Sequence, residues 1–278
     1  MPELPEVQTV VDQLRNVILG QKIRAVDVFY SRICEDQDLN AFLENQQIID
    51  VFRRGKYIVV QLGKGYWITH LRMEGRFFII KDDQVKAKHT HVSIYFDDFR
   101  LDYHDTRKFG RLVFTDHLEV FFKELGPEPF DSNLNGHVLK HKAKGRSIPL
   151  KSLILDQHFI AGIGNIYADE SLFRAKLSPF KKAESLSVKD WDTWLESARE
   201  ILNIALEDGG STIRSYASVH GVDGRFQQHL KVYGRAHQTC VECKDTLKRG
   251  LVNQRSTVYC MKCQKVSQHA HRHYGIHR

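Results

Sequence analysis

The sequence predicts an α+β multidomain chain: an antiparallel β-sandwich or barrel, then a helical segment, then a small metal-bound module. Three observations predict it. Between residues 22 and 115, short runs rich in Val, Ile, Tyr and Phe alternate with turn signals such as Gly63-Lys64-Gly65 and Asp97-Asp98. That spacing belongs to antiparallel sandwiches and barrels. After Gly126-Pro127-Glu128-Pro129, where two prolines within three residues break regular structure, the apolar period becomes helical. Near the end, four of the five cysteines form one cluster, Cys240-x2-Cys243-x16-Cys260-x2-Cys263.

In chain order, a first helix is marked by Val7, Val10, Val11, Leu14 and Ile18, which recur at helical spacing. Strands are expected at 22–29, 47–52, 57–62, 66–72, 76–80, 91–96, 100–103 and 112–115, followed by a helix at 119–125. Beyond the proline break, helices are expected at 134–141, 150–157, 165–174 and 188–205, with a short one after Gly209-Gly210. The predicted domains are 1–126, 131–230, 231–265 and a His-rich tail, 266–278, expected to be disordered.

Composition excludes several classes. The chain has 278 residues, 42% hydrophobic and 27% charged, values typical of a water-soluble globular protein with a sizeable core. No apolar run approaches the ~20 residues of a membrane span. No basic-then-apolar segment opens the chain, so a secretory signal is not expected, and cytoplasm is the expected location. The net charge is +7, and from Lys231 onward ten Lys/Arg face two Asp/Glu, a local +8 that leaves −1 for the first 230 residues. A basic module on a near-neutral body points to a polyanion, nucleic acid before membrane.

The first seven residues, Met1-Pro2-Glu3-Leu4-Pro5-Glu6-Val7, carry the sharpest chemistry. If Met1 is removed, the nitrogen of Pro2 becomes a free secondary amine. Such an amine can attack a carbonyl carbon and form an iminium, as a Schiff-base lysine does. Glu3 follows at once and can exchange the accompanying protons. The positive end of the first helix dipole would lie beside that amine and favour its neutral form. An ordinary N-terminus with helix-start prolines is the plainer account.

Two CxxC knuckles at this separation place four thiolates around one tetrahedral Zn2+, a structural site with no open position; a redox role is the alternative. Arg255 lies between the knuckles, where a hairpin would expose a turn and an arginine could clamp a phosphate. Ala161-Gly162-Ile163-Gly164-Asn165 is a glycine-flexed entry to a helix. Asn165 can cap that helix, and the free N–H groups of such an entry also bind phosphate. Met73 and Phe109, each close before a glycine, have the character of wedges that enter a base stack; taken singly they read as core residues. Arg53-Arg54-Gly55-Lys56 is a candidate phosphate site at a strand-start turn.

Together these pieces resemble the bacterial formamidopyrimidine-DNA glycosylase family over nearly the whole chain. The motifs that carry the resemblance are MPELPEV at 1–7, RRGKY at 53–57, HLRMEG at 70–75, DTRKFG at 105–110, LILDQ at 153–157, AGIGNIYADE at 161–170 and the CxxC…CxxC finger. The resemblance implies a catalytic β-sandwich with flanking helices, a helix–two-turn–helix DNA-binding domain and a zinc finger. It implies a bifunctional glycosylase and abasic-site lyase of base excision repair, acting as a monomer on double-stranded DNA with oxidised purines or abasic sites. By motif, Pro2 is the Schiff-base nucleophile, Glu3 the general acid and Glu6 a supporting carboxylate. Lys56, Asn165 and Arg255 grip phosphates, His89 contacts DNA, and Met73, Arg107 and Phe109 fill the space left by the flipped base. Cys240, Cys243, Cys260 and Cys263 hold the zinc.

The chain departs from the family pattern in three places. Asn253-Gln254 precedes Arg255 where many relatives have a glycine, 216–226 corresponds to a damaged-base loop with no assignable contact, and the tail continues through His269, His271, His273 and His277. An endonuclease VIII-like enzyme for oxidised pyrimidines is the related alternative, disfavoured by Leu4 and by the DTRKFG motif. A non-catalytic damage-sensing protein is the alternative of another class, disfavoured because binding requires neither Pro2 nor Glu3.

Overall fold

The computed structural model of the chain describes residues 1–81, 85–210 and 225–274. Two compact units divide it: Met1–Glu124 with Asp208–Gln227, and Leu125–Glu207 with Gln228–Arg278.

The first unit opens with α1 (Leu4–Ile18), whose inward stripe of Val7, Val10, Val11, Leu14 and Ile18 is buried. Eight strands follow among the described residues: β1 (Ala25–Val28), β2 (Ile48–Arg54), β3 (Tyr57–Leu62), β4 (Tyr66–His70), β5 (Arg76–Ile80), β6 (Thr90–Tyr95), β7 (Arg100–His104) and β8 (Arg111–Thr115). They form two antiparallel sheets, ordered β1-β6-β7-β5 and β2-β3-β4-β8. One core joins Val92, Ile94, Leu101 and Tyr103 of the first sheet to Ile58, Val60, Trp67 and Leu112 of the second and to the stripe of α1. The unit is therefore a sandwich rather than a barrel. Val59, Ile68 and Val113 point to the opposite face of the second sheet and pack under Leu118 of the helical turn α3 (Leu118–Phe121) and Phe122 just after it. Burial on both faces explains why β3 and β4 read as continuous apolar runs.

Element ends shift where tertiary pairing intervenes. The strand expected at 22–29 is confined to Ala25–Val28, because Lys22 bridges to Gln47 instead. A short helix α2 (Leu39–Leu43) was not anticipated; Asp38 caps it, accepting the Ala41 N–H at 3.2 Å.

The second unit carries α4 (Gly136–Lys142), α5 (Leu150–Ile154), α6 (Asn165–Arg174), α7 (Val188–Glu207), the hairpin β9 (Lys248–Val252) and β10 (Arg255–Tyr259), and α8 (Gln268–Tyr274). Asn135 caps α4 through two backbone N–H groups, as expected of asparagine there. Trp191 and Trp194 of α7 are buried, and the Trp194 indole donates to Ser171 Oγ on α6 at 3.1 Å.

Two boundaries differ from the sequence reading. The predicted 131–230 domain loses its end to the sandwich unit: Phe226 N–H bonds Gly210 O at 3.1 Å, and Gly210 lies against Glu6. The tail is not featureless, since Gln268–Tyr274 is helical and Tyr274 stacks on Phe180. An aromatic partner was available that no period in the sequence reveals. The helix expected after Gly209-Gly210 lies outside the described residues, as does His277.

Candidate functional site

Pro2, Glu3 and Glu6 are buried together at the start of α1. Glu3 is the N-cap, and a capping box links it to Glu6: the Glu3 side chain meets the Glu6 backbone N–H, and Glu6 Oε2 accepts the Glu3 N–H at 2.8 Å. The reciprocal arrangement pins both carboxylates at the first turn of α1, directly after Pro2 in the chain, at the positive end of the helix dipole. Gly210 closes over them at φ +81°; a Cβ there would lie 3.0 Å from Glu6 Oε1. The sequence reading did not anticipate that contact, because 204 residues separate the pair.

Lys56 is buried in the turn between β2 and β3. Arg53 braces that turn on α1, donating to Gln8 Oε1 at 3.0 Å and to Gly55 O at 2.9 Å. His70, paired with Tyr57 in the adjoining strand, was also missed. Burial, with the charges of Arg72 and Lys56 nearby, pushes its pKa down to about 3, and its Nδ1 accepts the Arg72 N–H at 2.9 Å. His70 is thus a neutral imidazole held beside Lys56.

Met73, Arg107 and Phe109 come together. Arg107 donates to Met73 Sδ at 3.2 Å, and its guanidinium sits 4.7 Å from the Phe109 ring centroid. Met73 is 39% exposed and Phe109 48%, so neither is the core residue that each suggests alone. They project from loops that follow β4 and β7, and Arg72 and Lys108 adopt positive φ (54° and 58°) beside them. The Asp105 carboxylate shapes the second loop by accepting the N–H groups of Arg107 at 3.0 Å and Gly110 at 2.7 Å. The His89 carbonyl accepts the Asp105 N–H at 3.1 Å, so His89 adjoins the same loop. Glu74 accepts the Thr106 hydroxyl and ties the two loops to each other.

In the second unit, Asn165 is the first residue of α6 and Gly164 its cap. Asn165 does not take the plainer role of helix cap: its Nδ2 donates to Ser256 O at 3.0 Å, which sets it beside Arg255. Arg255 starts β10 after a two-residue turn in which Asn253 and Gln254 take φ 47° and 61°. Both central residues of a type I′ hairpin turn require positive φ, so the absent glycine changes the cost and not the shape.

Of the two acids in the AGIGNIYADE motif, Asp169 holds this strand and Glu170 holds the backbone at 231–233. Lys151, fully buried, pairs with Asp169 at 2.6 Å and donates to Ser256 O and Thr257 Oγ1, each at 2.9 Å. Asp169 accepts the Val258 N–H at 3.1 Å. Glu170 accepts three successive N–H groups, from Lys231, Val232 and Tyr233, at 2.8–3.1 Å. Burial pushes the Glu170 carboxyl up while those N–H groups oppose it. The available signal was a pair of adjacent acids flanked by Ile166, Tyr167, Leu172 and Phe173 in one short helix.

The sulfurs of Cys240, Cys243, Cys260 and Cys263 lie within 4.8 Å of one another. Metal–sulfur bonds of 2.3 Å in a tetrahedron put sulfurs about 3.8 Å apart, and the Cys240–Cys263 and Cys243–Cys260 separations are 3.9 and 3.4 Å. The four thiols fit one tetrahedral metal ion. Burial, with the neighbouring thiols, pushes Cys263 up to about 12, while the Asp245 N–H helps draw Cys243 down to about 7. Among the described residues, no helix is long and apolar enough to cross a membrane.

The class defined by these features pairs an N-terminal β-sandwich, with carboxylates at its helix start, with a helical unit bearing a four-cysteine hairpin. Solved structures share that arrangement. A Lactococcus lactis Fpg complexed with abasic-site DNA superposes with TM-score 0.89 at 35% identity, covering 95% of this chain and 99% of that one. A MutM complexed with DNA containing carbocyclic 8-oxo-G gives the same score and identity, with 95% and 100% coverage. The formamidopyrimidine-DNA glycosylase N-terminal domain model matches residues 1–112, and the H2TH domain model of the same enzymes matches 125–217. Formamidopyrimidine-DNA glycosylases of an Exiguobacterium species and of Brevibacillus brevis are 40% and 42% identical, over 95% of this chain and 99–100% of theirs. The chain belongs to the formamidopyrimidine-DNA glycosylase family.

Proposed function

We propose that this chain is a bifunctional base-excision enzyme that removes 8-oxoguanine and formamidopyrimidines from duplex DNA and cleaves the abasic product. The reading rests above all on the capping box that buries Glu3 and Glu6 at the helix start directly after Pro2. With Met1 removed, the Pro2 nitrogen attacks sugar C1′, the bond from C1′ to the base breaks, and Glu3 protonates the opening sugar oxygen. The resulting iminium is an electron sink that acidifies the C2′ hydrogen. Loss of that proton expels the 3′ phosphate, a second elimination releases the 5′ phosphate, and water finally frees the amine.

Lys56 binds a lesion-flanking phosphate within the first unit. Asn165 and Arg255 bind phosphates within the second, where the network around Ser256 favours such a role. Met73, Arg107 and Phe109 fill the vacated stack, Arg107 facing the orphaned cytosine. The four cysteines hold a structural zinc. All four ligands come from protein, so the metal offers no site for chemistry and supplies folding energy to a module of about 25 residues.

The test is borohydride trapping on 8-oxoguanine DNA. The Met1-processed protein should form a covalent complex. A protein carrying a blocked N-terminal extension should bind the DNA but not trap. Pro2→Gly trapping as well as the parent would remove Pro2 from its assigned role. Discrimination between cytosine and adenine opposite the lesion should shrink in Arg107→Ala, and unchanged discrimination would remove that role from Arg107.

A further inference from the structure

The segment after the last cysteine knuckle carries a docked helix among its described residues. Within that stretch, Gln268–Tyr274 forms α8, started by Ser267, whose Oγ accepts the Ala270 N–H at 3.1 Å.

One aromatic chain of contacts holds α8 down. The Tyr274 ring stacks on Phe180 with centroids 4.8 Å apart and planes 6° apart, and Phe180 meets Tyr259 edge-on, also at 4.8 Å. Tyr259 ends β10, is fully buried, and is hydrogen-bonded to His271 Nδ1 at 2.7 Å. Val252 at the end of β9 and Val266 complete the cluster, with Ala270 packed against it. Gly250 in the middle of β9 lets the helix sit this close: a Cβ there would lie 2.6 Å from the Tyr274 carbonyl oxygen and 3.3 Å from Phe180 Cζ. The two strands so covered join at the turn that leads into Arg255.

We propose that α8 is a strap that fixes the β9–β10 hairpin against Phe180, with Tyr274 and His271 as positioning residues for Arg255. A two-stranded hairpin is marginal alone. The buried network around Ser256 secures only β10, and α8 secures β9 from the other side. The strap's effect on DNA rests on the reading of Arg255 as a phosphate contact.

The experiment compares Tyr274→Ala, Tyr274→Phe and Gly250→Ala with the parent protein. It reads amide hydrogen exchange across 248–259 and steady-state kinetics on 8-oxoguanine duplex. Tyr274→Ala and Gly250→Ala should exchange hairpin amides roughly tenfold faster, as loss of an aromatic stack implies, and raise KM several-fold with kcat kept. Tyr274→Phe keeps the ring and should restore both. Unchanged exchange in the first two variants, or failure of Tyr274→Phe to restore it, overturns the strap. Faster exchange without a change in KM, where Arg255→Ala does raise KM, overturns the positioning role. If Arg255→Ala leaves KM unchanged, the phosphate reading falls instead, and exchange alone decides the strap.

Discussion

His70 is buried as a neutral imidazole with its pKa near 3, and that has a stability consequence with a definite sign. Its folded pKa lies below the unfolded value of about 6.5, so below that pH the unfolded chain takes up a proton that the folded chain refuses. Stability should therefore fall as pH drops from about 6.5 toward 3, by about 1.4 kcal/mol per pH unit at most from this group. Denaturant midpoints measured from pH 7 to 4 should show a shallower acid loss in His70→Gln than in the parent, and parallel curves would contradict it. Gly210 is the second position where one atom decides. Ala there meets both a left-handed backbone, φ +81°, and Glu6 at 3.0 Å. Gly210→Ala should lower borohydride trapping by at least tenfold, because the helix-start carboxylates must shift. Of the residues at this site, Pro2, Glu3, Glu6 and Lys56 were legible in local motifs. His70 and Gly210 were not, since a histidine in a strand and a glycine after a helix have many ordinary uses.

Among the elements, the β9–β10 hairpin carries a cost that a substitution can relieve. Gln254 at φ 61° occupies a turn position that glycine takes without strain. Gln254→Gly should stabilise the second unit by up to about 1 kcal/mol, read as a higher denaturant midpoint with Arg255 untouched. The opposite outcome is expected at the buried pair joining α5 and α6 to β10. Lys151→Met removes one partner and leaves Asp169 uncompensated, and breaking such a pair costs about 3–5 kcal/mol. DNA affinity should fall with it, because Ser256 and Thr257 lose their Lys151 donors. Element identity was mostly legible. The strands expected at 57–62 and 76–80 and the helix at 165–174 match β3, β5 and α6 to the residue. The partner of Asn165 was not legible, because Ser256 lies 91 residues away and capping chemistry is local.

For the whole molecule, the charge distribution makes a quantitative demand. The stretch from Lys231 carries +8 on a chain of +7, so DNA binding should weaken steeply with salt, each phosphate contact adding about 0.9 to the logarithmic slope. Arg255→Ala should lower that slope by about one contact, and an unchanged slope would mean that Arg255 meets no phosphate. By itself the sequence determined the β-then-helical order, the four-cysteine cluster, the Pro2-Glu3 start and the basic end. Those rest on periodicity, knuckle spacing and composition, which are properties of neighbours in the chain. Only the tertiary structure decided that the strands make a sandwich with one shared core, that Met73 and Phe109 are exposed against Arg107, and that Gly210 reaches Glu6. It likewise decided that Gln268–Tyr274 of the His-rich tail is a helix held by Phe180 and Tyr259. Each of those depends on partners distant in sequence, whose meeting is set by burial and packing and leaves no local pattern.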